Sequence, residues 1–106
     1  MPKFLCEASY TASGAQGVIK EGGSSRHTNL RNTVERLGGR VECFYYAWGT
    51  TDVYTIVELP DTATALALSM TINATGGVKV KTTPLIMPEE VDQASKKSII
   101  YKAPGA

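Results

Sequence analysis

The sequence predicts an α+β fold built on a four-stranded antiparallel sheet, and three observations support this prediction. Segments that alternate apolar and polar residues, as strands do, occur four times along the chain. Between them lie segments whose apolar residues recur every three or four positions, as in amphipathic helices. Glycine pairs close these helical segments at Gly22-Gly23, Gly38-Gly39 and Gly76-Gly77.

The first part of the chain predicts one strand followed by helix. Lys3–Tyr10 alternates and predicts the strand, and Ala15–Glu21 predicts one or two helical turns. Ser24-Ser25 are residue types that cap helix N-termini, so a longer helix is predicted to start there. One face of that helix would carry His27, Leu30, Val34 and Leu37.

The middle of the chain predicts a β-hairpin. Arg40–Trp48 and Asp52–Leu59 are β-rich runs joined by the short turn Gly49–Thr51. Strict alternation along the first run puts Val41, Cys43, Tyr45 and Ala47 on one face of the sheet. The other face would then receive Glu42, Phe44, Tyr46 and Trp48.

The second half predicts another helix, a fourth strand and a terminal helix. Asp61 is the predicted N-cap of a helix whose apolar face holds Ala63, Leu66, Ala67, Met70 and Ala74. Val78–Ile86 is the predicted strand. Pro88 opens a short last helix that has acidic residues early and lysines late, as the helix dipole prefers.

The resulting order, β-α-β-β-α-β with an added C-terminal helix, is the ferredoxin-like arrangement. Right-handed crossovers place the strands in the order 4-1-3-2, with both main helices on one face of the sheet. The 106 residues are predicted to form one domain, in which residues 86–106 are the C-terminal helix and tail.

Composition excludes several classes of function. The chain is 42% hydrophobic and 20% charged, as soluble globular proteins are, and its net charge of +1 gives no reason to expect binding to nucleic acid or to an anionic membrane. We predict a cytoplasmic protein with free Cys6 and Cys43 thiols, because no signal core and no apolar run of about 20 residues is present. The single histidine and two cysteines match no metal-ligand spacing, so neither a metal nor a cofactor is predicted.

The sheet face turned away from the helices is predicted to be a partner interface. Alternation places five large apolar side chains on it: Phe44, Tyr46, Trp48, Tyr54 and Ile56. A sheet face that meets water is normally polar, and monomers rarely expose a large apolar patch. We therefore predict a homodimer through this face. The alternative is that Ile99–Tyr101 fold back over it.

One end of the predicted sheet gathers the polar and titratable groups. The end of the first strand, the start of the long helix and the hairpin turn all meet there, which makes it the predicted ligand site. Arg26 and Arg31 near the helix start either hold an anion or are solvated. The candidate ligand-binding residues are Tyr10, Thr11, His27, Tyr45 and Asp52.

Each candidate at this end also has a structural interpretation. His27 and Asp52 are the catalytic candidates, as a proton-transfer pair, but they also suit a helix-start packing residue and a turn cap. The phenols of Tyr10 and Tyr45 would either hold a substrate carbonyl or belong to core rings.

Several short motifs resemble the GYD-domain family of small bacterial and archaeal proteins. They are SYT, GGRVECFY, GTTD, ELPD and VKVKTTPL, and the resemblance spans roughly Met1–Glu90. At the Gly-Tyr-Asp turn that names the family, this chain has Gly49 and Asp52, with Thr51 in the place of the tyrosine. The resemblance implies a ferredoxin-like domain of the dimeric α/β barrel type.

Three functional hypotheses follow. The first is a small homo-oligomeric protein that binds a small molecule or serves as an accessory domain. The second is a cofactor-independent oxygenase or isomerase acting on a small aromatic or carbonyl compound, and the third is a structural domain whose tail docks on another protein. A pocket of about 300 Å³ or more would favour the enzyme, whereas packing by Tyr10, Tyr45 and Leu30 would exclude it.

Overall fold

The computed structural model describes residues 1–106 and confirms the α+β class, with four strands and four helices. The strands are β1 (Lys3–Tyr10), β2 (Arg40–Tyr46), β3 (Val53–Glu58) and β4 (Val78–Leu85). The helices are α1 (Ala12–Glu21), α2 (Gly23–Arg36), α3 (Thr62–Ala74) and α4 (Pro88–Ser95).

The four strands form one antiparallel sheet in the order β2-β3-β1-β4, which is the predicted 4-1-3-2 order counted from the other edge. Helix α2 packs over β2 and α3 packs over β4, so one face of the sheet lies under helices. The buried core lies between these layers and consists of Phe4, Val34, Val57, Leu59 and Ala65. Cys6, Leu30, Val41 and Leu68 pack around it.

A β-bulge in β2 overturns the predicted distribution of its aromatic side chains. Val41 pairs with Val57, but Cys43 then pairs with Ile56, so two residues of β2 face one residue of β3. Register partners share a face, so every β2 side chain beyond the bulge lies on the face opposite to the predicted one. Phe44 and Tyr46 lie on the helix-covered face, and Cys43 and Tyr45 lie on the face away from the helices.

The open face is consequently less aromatic than predicted. We use this name for the sheet face away from α2 and α3. Of the five predicted interface residues, Tyr54 and Ile56 lie on it, and Tyr45 and Leu5 join them across the ladders. Trp48 lies beyond the end of β2, in the turn, with its side chain fully exposed. The correction follows from the bulge, because alternation alone assumes an unbroken pleat.

A single residue, Gly22, lies between α1 and α2, so the long helix starts earlier than predicted. Gly22 separates them with a φ of +86°, a left-handed conformation that side-chain-bearing residues rarely adopt. Helix α2 begins at Gly23 rather than after Ser24-Ser25, and neither serine caps it. Thr11 caps α1 instead, by accepting a hydrogen bond from the Gly14 amide through its side chain.

Helix α3 turns a different face to the sheet than predicted. Ala65 is buried and Leu68 packs against the core, whereas Leu66 and Met70 are more than half exposed. Apolar residues are spread around the whole helix, so the pattern did not distinguish its faces. Asp61 is its N-cap, as predicted, and accepts a hydrogen bond from the Thr64 amide at 2.7 Å.

The C-terminal arm, residues 86–106, extends away from the rest of the molecule. Every residue of this arm is exposed, and the radius of gyration of the chain is 17.1 Å, compared with about 13 Å for a compact chain of this length. Ile100 and Tyr101 are 101% and 76% exposed. The alternative prediction that the tail covers the open face is therefore wrong for the isolated chain.

Candidate functional site

A small apolar cavity lies between the sheet and the helices α2 and α3. Its volume is about 80 Å³, and by this measure it has room for on the order of five to eight water molecules. Helix α2 contributes Leu30, α3 contributes Leu68 and Ile72, and the strands contribute most of the remaining wall. The strand residues are Cys6, Ala8, Tyr10, Phe44, Val53, Thr55, Val57, Val78 and Val80.

Two polar groups of the cavity wall lie together toward one end of the sheet. They are the phenol of Tyr10 and the guanidinium of Arg26, which interact with each other and with the Tyr46 phenol. Arg26 also forms a long, partly exposed ion pair with Glu21 at 3.6 Å. The other polar groups of the wall are engaged. Thr55 donates its hydroxyl hydrogen to the Cys43 carbonyl at 2.7 Å, and the Cys6 thiol lies 3.9 Å from the Thr82 hydroxyl.

Burial shifts the titration of the Tyr10 phenol. It raises the pKa of Tyr10 to about 12, the neighbouring Tyr46 phenol adds to the rise, and Arg26 opposes it. The phenol is a neutral hydrogen-bond donor at physiological pH. A ligand oxygen at this end would meet a donor and a cation, which suits a carboxylate or a polarised carbonyl.

Tyr10 also lies in two shallower clefts, so it links the cavity to the surface. One cleft of about 300 Å³ lies between α1 and the turn before β4, and its wall includes Arg26, Gly14 and Gly77. A Cβ on Gly14 would overlap the Gly77 carbonyl, so this close approach requires glycine. The other cleft, of about 490 Å³, lies between α1 and the end of the β2–β3 hairpin. This end is therefore not packed solid.

Asp52 and Thr11 lie at the predicted end, but their polar atoms bond within the fold. The Asp52 carboxylate accepts the backbone N–H of Tyr10 at 2.8 Å, and the Asp52 amide donates to the Ala8 carbonyl at 2.9 Å. The Thr11 hydroxyl donates to the Gly76 carbonyl at 2.9 Å while capping α1. These bonds join the end of β1 to the hairpin and to the α3–β4 turn.

His27 lies beside the cavity rather than in its wall. Its imidazole stacks on the phenyl ring of Phe44, with ring centroids 4.8 Å apart and planes inclined by 17°. Phe44 meets Tyr46 edge-on at 5.3 Å, and the Tyr46 hydroxyl donates to the Gly23 carbonyl at 3.0 Å. His27 and Asp52 form neither a hydrogen bond nor an ion pair, so the structure does not bring the predicted proton-transfer pair together.

The structure therefore assembles the predicted site only in part. Tyr10 lies in the cavity wall, as placed by the sequence, whereas Tyr45 lies on the opposite face of the sheet and does not reach this site. Phe44 and Tyr46 lie on the cavity side, where the sequence did not place them. The signal that could have revealed them is the unbroken aromatic run Phe44–Tyr46, which fits either register equally well.

Two further features of the structure concern the class of protein. No three side chains of histidine, cysteine, aspartate or glutamate come together in a geometry that would hold a metal ion. None of the helices combines the length and the apolar composition that crossing a lipid bilayer requires.

A family match agrees with this architecture. The GYD domain family model matches residues 4–95, which include all four helices and the whole sheet except Lys3, the first residue of β1. The chain belongs to the GYD domain family. Neither a curated protein nor a solved structure matches it.

The turn of this GYD-domain protein has a structural role that its residues explain. Asp52 binds the backbone at the end of β1, and the Thr50 carbonyl accepts the Ser9 hydroxyl hydrogen at 3.0 Å. Thr51, at the position of the predicted family tyrosine, lies beside Glu7 and Ser9 in a groove of the open face. The turn therefore fastens the hairpin across β1.

Proposed function

We propose that this GYD-domain protein binds a small molecule with a short apolar body and one anionic or carbonyl oxygen. The observation that carries the proposal is the apolar cavity between the sheet and the helices, with the adjacent polar groups of Tyr10 and Arg26 at one end. Apolar walls with a few convergent polar groups are the usual form of a small-molecule site.

The size of the cavity limits the ligand. A space of about 80 Å³ is much smaller than the roughly 300 Å³ typical of sites for drug-sized ligands. A body of about the size of one small ring would fill it. A ligand oxygen at Tyr10 would then open toward the clefts of about 300 and 490 Å³, where a longer polar portion has room.

Binding is favoured over the catalytic alternative, a cofactor-independent oxygenase or isomerase. Removing a proton from a substrate requires a base within hydrogen-bond reach of it. The cavity wall contains no imidazole and no carboxylate, and the phenol of Tyr10 holds its proton more tightly than an ordinary tyrosine does. The groups that face the cavity are suited to holding an oxygen atom.

We also propose that the protein assembles as a homodimer through its open face, as dimeric α/β barrel domains do. The bulge changes the residues expected in that interface. Tyr45 is 67% exposed and Tyr54 is 40% exposed, and with Leu5 and Ile56 they form the apolar centre of the face. Phe44 and Tyr46 are removed from the proposed interface.

The binding proposal can be tested by titrating isotope-labelled protein with benzoate and with benzyl alcohol while its amide NMR shifts are followed. We expect benzoate to bind, and Arg26→Gln to weaken it about tenfold while leaving the neutral alcohol unchanged. Arg31→Gln is the matched control, because Arg31 lies on the same helix outside the cavity wall. Ala8→Ile should fill the cavity and abolish binding of both compounds.

The opposite pattern would overturn the proposal. Equal binding of benzoate to Ala8→Ile and to the unmodified protein would show that the compound lies elsewhere. An equal loss in Arg26→Gln and Arg31→Gln would mean only a general charge effect on the surface. No shift with either compound would contradict a site for small ring compounds.

A further inference from the structure

The footprint of the open face alone is smaller than the area that a standard interface buries on each partner. Four strands about 4.8 Å apart and about seven residues long give a footprint on the order of 450 Å². Stable interfaces bury about 800 Å² per partner. Tyr45 and Tyr54 together expose about the area of one whole tyrosine, roughly 150–250 Å². A partner that covered only the sheet would therefore fall short.

The C-terminal arm carries the apolar surface that the face lacks. Six of its large apolar side chains are 50% to 101% exposed: Ile86, Met87, Val91, Ile99, Ile100 and Tyr101. At the usual energy per unit of buried apolar area, fully burying one such side chain removes roughly 60–120 Å² of apolar surface from water. The six side chains of the arm therefore add about 400 Å² or more of buried surface. Added to the sheet footprint, this reaches the area of a stable interface.

The acidic residues of α4, which contains no basic residue, also complement lysines of the open face. Lys79 and Lys81 lie on the open face of the edge strand β4, and neither forms an ion pair. Glu89 and Asp92 of α4 are exposed acidic residues that likewise have no cationic partner. The charged groups at the other end of the face are already paired with one another, as Lys3–Glu42 and Arg40–Glu58.

From these observations we infer that the C-terminal arm of one protomer packs on the open face of a second copy of this chain, and that the exchange is reciprocal. The apolar residues of the arm cover Tyr45 and Tyr54 of the partner, and α4 lies near the lysines of the partner's β4. This inference rests on the proposed dimer and adds to it the element that supplies half of the contact. The arm does not cover its own sheet, since Ile99–Tyr101 are exposed.

A charge-reversal experiment on the full chain tests the inference. The first variant reverses the arm, Glu89→Lys with Asp92→Lys, and the second reverses the sheet edge, Lys79→Glu with Lys81→Glu. Glu90 is left intact because its carboxylate accepts the Met87 amide hydrogen at 3.3 Å and so supports the start of α4. Circular dichroism verifies that both variants remain folded.

In each variant alone, a reciprocal arm exchange would bring like charges together in both contacts. We expect the dimer dissociation constant of each to rise at least tenfold in sedimentation equilibrium. In a one-to-one mixture, both contacts would join opposite charges, so the heterodimer should regain the affinity of the unmodified chain. An arm folded onto its own sheet would gain nothing from mixing.

A second pair of variants tests the apolar contact. Ile100→Glu should weaken the dimer at least tenfold, whereas Ile19→Glu is the matched control, since Ile19 is 85% exposed on α1 outside the arm. If all these variants dimerise as tightly as the unmodified chain, the arm exchange is wrong and the sheet-face dimer stands. If the unmodified chain is monomeric at every concentration, both proposals are wrong.

Discussion

The imidazole of His27 and the phenyl ring of Phe44 lie face to face, with their centroids 4.8 Å apart. This contact joins the first turns of α2 to the strand β2 beyond its bulge. It is possible only because the bulge turns Phe44 toward the helices, and it gives the single histidine a packing role beside the cavity wall.

Substitution of His27 tests that role. His27→Ala should lower the free energy of unfolding by about 1 kcal/mol, the usual contribution of an aromatic pair, whereas His27→Phe should preserve it. Chemical denaturation measures both values. A loss of benzoate binding in His27→Phe at unchanged stability would contradict this role and would indicate that the imidazole contacts the ligand.

Asp52 is expected to stabilise the fold mainly through the hydrogen bond that its carboxylate accepts from the Tyr10 amide. Asp52→Ala leaves the Tyr10 amide without its acceptor and should cost about 2 kcal/mol of unfolding free energy. Asp52→Asn keeps an acceptor oxygen and should cost less than half as much. Equal losses in thermal or chemical denaturation would show that the negative charge, rather than the hydrogen bond, holds the hairpin to β1.

Adjacent positions in β2 provide the sharpest test of the bulge. Phe44→Asp places a charge in the half-buried cavity wall against His27 and should destabilise the fold by about 2 kcal/mol or more. Tyr45→Asp changes an exposed ring and should alter monomer stability by about 0.5 kcal/mol or less, while weakening the dimer. If Tyr45→Asp unfolds the chain and Phe44→Asp does not, the register described here is wrong.

The raised pKa of Tyr10 predicts a specific loss of stability in alkali. In the unfolded chain the phenol releases its proton near its ordinary pKa of 10.0, whereas in the folded chain it keeps the proton until about pH 12. The stabilising contribution is therefore complete below pH 10 and is lost as the pH rises through 12. Tyr10→Phe cannot ionise, so its unfolding free energy should fall less steeply across this range.

The unmodified protein and Tyr10→Phe can be compared by denaturation at several alkaline pH values, because every other titrating group is common to both. The tyrosinate absorbance of the unmodified protein should also show one more late-titrating phenol than the variant shows. Parallel stability curves for the two proteins would contradict the burial of the phenol.

The sequence predicted the strand order and the element types well, because glycine pairs and apolar spacing mark them clearly. It failed where two registers satisfied the same pattern. Residues 43–48 are apolar or aromatic at every position, so alternation had no polar residue with which to locate the bulge. Helix α3 posed the same difficulty, since Leu66 and Leu68 are equally apolar although only Leu68 packs inward.

The candidate site was predicted in location more than in composition. Tyr10 and Asp52 do meet at one end of the sheet, because the antiparallel order requires it. The cavity itself could not be foreseen, since it depends on the space that α2 and α3 leave between them above Ala8 and Val80. Such a space is a property of three-dimensional packing and leaves no trace in residue spacing.

Nuclear Overhauser contacts between bound benzoate and the methyl groups of the protein would locate the bound ring directly. We expect contacts from the ring protons to Leu30 on the helix side of the cavity and to Val53 and Val80 on the sheet side. Contacts confined to exposed methyl groups such as Ile19, or contacts that persist in Ala8→Ile, would contradict a binding site between the sheet and the helices.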